Sequence, residues 1–278
     1  MMRAGMRRRL AVLLLVGAAT AVLGGCASSA VPAPSAARLS VVILGDSLSV
    51  DPPHNCEGCT SYVIEYARAL TEATGSKVAL RDDAVDNAQL ADLTDRIALS
   101  DVVADLATAD VVVVWIGANE GPPWNFDTPC GTAPGDTAEE QTAVVEAYTA
   151  DCIAATMSLY QQRYSSLFAK ITALSPKATS RLALTTVNNW AGNPAFDGSA
   201  FPATRMAPVL ERVVGIFDAW NVAQCAAAAA SGFICVDSYH ALNGADGRTA
   251  LGDRVSDDYT HLSQKGHDEV AELLTEAG

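Results

Sequence analysis

The chain reads as an α/β protein, a three-layer α/β/α sandwich with a central parallel sheet, and three observations carry that reading. Short apolar runs rich in β-branched residues alternate with stretches of helical periodicity from residue 39 to the C-terminus. One run, Val111-Val112-Val113-Val114-Trp115-Ile116, is too continuous for a half-exposed strand and belongs at the centre of a parallel sheet. No repeat and no second composition zone breaks the order, so 39–278 is expected to form one domain.

Leu39 to Leu44 is a buried strand that stops at Gly45. Tyr62, Val63, Tyr66, Ala67 and Leu70 recur at helical spacing before Gly75, which predicts a helix over Ser61–Thr74, and Lys77 to Arg81 follows as a strand. Leu90, Leu93 and Ile97 mark another helical stripe ahead of the Val-rich strand. After a loop from Glu120 to about Asp136, Thr137-x-x-Glu140 has the pattern of a capping box and opens a long Ala-rich helical stretch that ends near Ser175-Pro176. Arg181 to Thr186 reads as strand, Pro208 to Ala230 as helix, Phe233 to Val236 as strand, and a last helix starts near Gln264.

The N-terminus has a different task. Arg3, Arg7, Arg8 and Arg9 precede an apolar run from Leu10 to Leu23, the form of a signal peptide over residues 1–25 and too short to span a bilayer comfortably. Leu23-Gly24-Gly25-Cys26 resembles the lipobox at which bacterial lipoproteins are cleaved and acylated, so Cys26 is the expected lipidated N-terminus, with residues 26–38 a small, proline-punctuated tether. An exported lipoprotein on the outer face of the membrane is the expectation, or a secreted protein if Cys26 is not acylated. The arginine run leaves Sec and twin-arginine export both open.

Six cysteines remain beyond Cys26, an even number in an oxidising compartment. They admit fifteen connectivities; nearness in sequence favours Cys56–Cys59, Cys130–Cys152 and Cys225–Cys235. His54 beside Cys56-x-x-Cys59 raises zinc, but no second clustered pair completes four ligands, and no metal is expected. The formal charge is −14, and loss of residues 1–25, which hold four arginines and no acid, leaves −18. That balance excludes nucleic acid and anionic lipid surfaces as natural partners.

In parallel sheets ligands bind at the carboxyl ends of the strands. Three groups fall there: Gly45-Asp46-Ser47-Leu48-Ser49, Gly117-Ala118-Asn119-Glu120, and Asp258-Tyr259-Thr260-His261 before the last helix. A serine hydroxyl needs an adjacent base to become a nucleophile, and an aspartate behind that base holds its tautomer and stabilises the imidazolium.

This ordered set, running from about Leu39 to the C-terminus, resembles the GDSL/SGNH hydrolase family. The resemblance implies an SGNH-like, flavodoxin-like sheet and a serine esterase that works without metal or cofactor, through an acyl-enzyme, on an acyl lipid, a small acyl ester or an O-acetylated glycan. It also implies Ser47 as nucleophile, His261 as base and Asp258 as the triad acid. The Ser47 backbone N–H and the Asn119 amide are the matching oxyanion donors. A third donor, a glycine N–H in the family, falls at Asn87, which tolerates left-handed geometry and still presents its N–H. Glu120 stands where the family carries aspartate, with a supporting role or none.

Trp124 and Phe126 are candidate walls of a substrate pocket, with Asn188, Asn189 and Trp190 as the facing rim, though packing of those loops accounts for them equally. His267 reads as a helix-surface histidine, and His54 and His240 as loop residues without a role. Helix capping is the alternative for Ser47, and its position after a strand together with the other motifs argues against it. A monomer is expected, and the alternative function is a cell-surface lipoprotein that binds a glycan or acyl ligand without turnover.

Overall fold

The structure, a computed structural model, describes residues 38–120, 128–131, 135, 137–196 and 201–278. The expected leader and tether up to residue 37, Cys26 included, and Trp124 and Phe126 lie outside the described residues.

Five strands form one parallel sheet: β1 (Arg38–Gly45), β2 (Lys77–Asp82), β3 (Val111–Trp115), β4 (Ser180–Leu184) and β5 (Ile234–Val236), in the spatial order β2-β1-β3-β4-β5. β1 takes in Arg38, paired with Lys77, so the sheet begins one residue before the expected domain start at 39. The Val-rich strand is central, and all five residues of β3 are buried. The helices are α1 (Tyr62–Thr74), α2 (Leu90–Arg96), α3 (Ser100–Thr108), α4 (Ala138–Ala147), α5 (Ala150–Leu174), α6 (Ala203–Ala230), α7 (Ser238–Asn243) and α8 (Gln264–Ala277).

Strand alternation divides the core. Val42, Leu44, Val112 and Val114 pack with α2, α3, α5 and α6 on one face. Val41, Ile43, Val113 and Trp115 meet α1 and α8 on the other. Complete burial of each such side chain contributes roughly 1.5–3 kcal/mol, which explains why a sheet covered on both faces reads as unbroken apolar runs.

Three local outcomes differ from the periodicity. The Ala-rich stretch is two helices, because Thr149 caps α5 through the Cys152 N–H at 3.2 Å while Arg212 donates to the carbonyls of Val145, Glu146 and Tyr148 at the end of α4. α6 begins at Ala203 and runs through Pro208, which forgoes one intrahelical hydrogen bond. α7 was not anticipated; it is a short helix capped by Asp237. Thr137 and Glu140 do form the capping box, and the cysteines pair as Cys56–Cys59, Cys130–Cys152 and Cys225–Cys235.

Candidate active site

The two strands at the middle of the sheet deliver the first two groups. β1 ends at Gly45, where a side chain would meet the Trp115 carbonyl at 2.2 Å, so the chain passes close to β3 before turning. Asp46 then lies fully buried, accepting the Leu48 N–H at 3.1 Å and the Ala118 N–H at 3.3 Å, and thereby ties the turn after β1 to the turn after β3. Burial pushes its carboxyl up to about 6, against the backbone N–H groups that favour the charged form. Ser47 follows on the cleft wall.

After β3, Gly117 has φ +129°, and the space a side chain would need is filled by the Tyr164 hydroxyl and Thr186. Asn119 donates through Nδ2 to the Ala88 carbonyl at 3.1 Å, which aims its amide, while its backbone carbonyl accepts from Gln89 Nε2 at 3.4 Å. Glu120 is buried and accepts the Leu90 N–H at 2.5 Å, securing the start of α2; burial raises its carboxyl to about 7. It thus has the supporting place that was one of its two expected readings. Asn87 is exposed and left-handed, φ 57°, one residue from the carbonyl that holds Asn119.

The third group is a turn closed by Ser256 N–H to the His261 carbonyl at 2.8 Å, with Tyr259 at φ 56°. Asp258 Oδ1 accepts the N–H groups of Thr260 and His261, both at 3.0 Å, and the Ser256 hydroxyl at 2.8 Å. Its Oδ2 lies 2.6 Å from His261 Nδ1. Partial burial alone would raise this carboxyl, but the His261 side chain and the converging donors hold it well below the usual carboxylate range. With Nδ1 engaged by Asp258, the other ring nitrogen, Nε2, is buried and without a hydrogen-bond partner among the described residues. No hydrogen bond joins it to Ser47 in this conformation.

One cleft brings these groups together: Ser47, Leu48, Gly117, Ala118, Asn119 and Thr260 line it, with Thr186, Val187, Asn189 and Phe217 opposite. Asn221 of α6 exchanges two 2.9 Å hydrogen bonds with the Thr186 backbone and fixes that wall. The expected rim needs correction. Asn188 and Trp190 turn inward: Asn188 donates to the Gly247 carbonyl and Trp190 stacks on Phe196 at 3.8 Å, leaving Asn189 alone of that trio on the cleft. His267 is not a surface residue either; it is buried, accepts the Tyr62 N–H at 3.2 Å, and desolvation pushes it down to about 4. His240 pairs with Asp237 at 2.8 Å on α7.

Sequence reasoning missed His54 and Asn55. Asn55 Nδ2 donates to Asp258 Oδ2 at 2.5 Å, and the His54 ring centroid is 5.4 Å from that of His261. Nothing local signals a contact spanning 203 residues. Among the described residues no three His, Cys, Asp or Glu side chains converge as a metal site requires.

Comparison with known proteins agrees with this fold. The structure is similar to the lipase Lip_vut3 from a goat rumen metagenome, with a TM-score of 0.63, 18% identity, and coverage of 86% of this chain and 97% of that one. It is similar to an extracellular lipase of Streptomyces rimosus (TM-score 0.57, 16% identity, 86% and 100% covered). The same holds for phospholipase A1 of Streptomyces albidoflavus (TM-score 0.57, 16% identity, 86% and 99% covered). At these identities the likeness establishes the fold. No curated protein matches the chain. The model of the GDSL-like lipase/acylhydrolase family matches residues 43–269, spanning all three motifs, so the chain belongs to that family and is an ester-hydrolysing serine hydrolase.

Proposed function

We propose that Ser47 attacks the acyl carbon of a carboxylic ester, that His261 takes the serine proton through Nε2 and returns it to the leaving alcohol, and that water activated by the same nitrogen releases the acid from an acyl-enzyme. Asp258 keeps the Nδ1–H tautomer and stabilises the imidazolium formed during attack. The Ser47 N–H, the Asn119 amide and the Asn87 N–H meet the oxyanion, where each donor typically contributes two to three orders of magnitude in rate. The observation that carries this reading is the single cleft bordered by Ser47, Asn119 and the residue before His261, with Asp258 at 2.6 Å from Nδ1 and Nε2 left unbonded.

The substrate is an acyl lipid, a small acyl ester or an O-acetylated glycan, three classes that present the same carbonyl to Ser47. The leader and Cys26 support export and anchoring through an N-terminal lipid, which places the reaction at the cell surface.

One experiment tests both parts. A fluorophosphonate probe applied to membrane and soluble fractions should label the wild type in the membrane, lose all label in Ser47→Ala, and move the label to the soluble fraction or to unprocessed precursor in Cys26→Ala. Label retained in Ser47→Ala would refute the nucleophile. An unlabelled, folded wild type would favour ligand binding without turnover.

A further inference from the structure

Between Ser47 and α1 the chain runs through a segment, Asp51–Thr60, in which Cys56 and Cys59 close a short loop, with their Cα atoms 5.4 Å apart and the Cys59 N–H on the Cys56 carbonyl at 3.1 Å. Asn55, immediately before the clip, holds φ 53°. Its Nδ2 reaches Asp258 Oδ2 at 2.5 Å and lies 3.3 Å from His261 Nδ1. The neighbouring His54 sets its ring 5.4 Å from that of His261 and its Nε2 3.4 Å from Asp86 Oδ1, beside Asn87. Two consecutive side chains of one clipped turn therefore touch the acid and imidazole on one side and the Asp86–Ala88 turn on the other.

We propose that Asn55 is a positioning residue for the Asp258–His261 pair, presented to it by the Cys56–Cys59 clip; the inference rests on the catalytic reading above. Asp258 and Asn55 are both solvent-facing, and a carboxylate in contact with water rotates and rehydrates freely unless its oxygens are held. Backbone donors and Ser256 hold Oδ1, while among the described residues Oδ2 has only His261 and Asn55. A second donor on Oδ2 fixes the plane of the carboxylate and, through it, the direction of the imidazole. The bridge constrains the chain immediately after Asn55 and so reduces the entropy lost in holding Asn55 there.

Asn55→Gly separates the side chain from the turn, because glycine accepts φ 53° without strain. Turnover of p-nitrophenyl acetate by the full oxidised protein should show kcat lowered about 10-fold to 10²-fold, with KM within about twofold and an unchanged melting temperature. A role limited to shaping the turn predicts wild-type kcat instead. Cys56→Ser/Cys59→Ser should lower kcat as well, and adding Asn55→Gly to it should cost little more, since both act on one contact; additive losses would overturn the part given to the clip. Wild-type turnover matched by Asn55→Gly would overturn the positioning role and leave the triad standing. A wild type that neither turns over ester nor labels at Ser47 would overturn both.

Discussion

Two aspartates of the site are built by opposite means. Asp46, beneath Ser47, is sealed from water, spans the turns after β1 and β3, and is pushed up toward 6 by its burial. Asp258, at the outer edge, is partly open to solvent and is held down by hydrogen bonds from His261, Thr260 and Ser256 of its own turn. The inner side of the cleft is thus fixed by the core, and its geometry is inseparable from folding. The outer side is a local hydrogen-bond assembly that tolerates change without unfolding the sheet.

The largest effect that probes this contrast belongs to Asp258→Asn. It should lower kcat/KM by about 10³- to 10⁴-fold through loss of the correct tautomer, while the melting temperature stays within a few degrees. A parallel collapse in stability would show that the outer edge is not local. Next comes Asn119→Ala, expected to reduce kcat by about 10²-fold or more and to lower stability as well, since Ala88 loses the amide it binds. Asn87→Gly should keep kcat within a few-fold, because φ 57° suits glycine and only the backbone N–H is needed. A large loss there would assign the Asn87 side chain a role of its own.

The smallest effect is on stability alone. Glu120→Gln keeps an acceptor for the Leu90 N–H but cannot ionise. Because burial raises the native carboxyl to about 7 from an ordinary 4.5, the wild type's contribution is intact below about 4.5 and is lost as pH rises through 7. Thermal melts should therefore show Glu120→Gln gaining on the wild type between pH 5 and pH 8, by about 1–3 kcal/mol. A constant difference across that range would mean that Glu120 does not titrate there.

What the sequence disclosed follows the same division. Continuous apolar runs marked β1 and β3, and the motifs at their ends placed Ser47 and Asn119, because buried parallel strands leave a compositional trace. His267 was misread as a surface residue, although with Gly266, Val270, Ala271 and Leu274 it forms the helical stripe of α8 that faces the core. Asn188 and Trp190 could not be told from Asn189, since in irregular backbone a one-residue shift reverses which side chain faces the cleft and no period exists to read. His54 and Asn55 meet Asp86, Asp258 and His261 through tertiary closure alone.

The order β2-β1-β3-β4-β5 has a consequence for how such an enzyme diversifies. Ser47 and Asn119 follow adjacent, hydrogen-bonded strands, so the separation of the two turns that carry them is set by strand pairing, a ruler made of backbone. The loops that choose the substrate hang beyond that ruler. They can lengthen, shorten or change chemistry while the reaction centre keeps its scale.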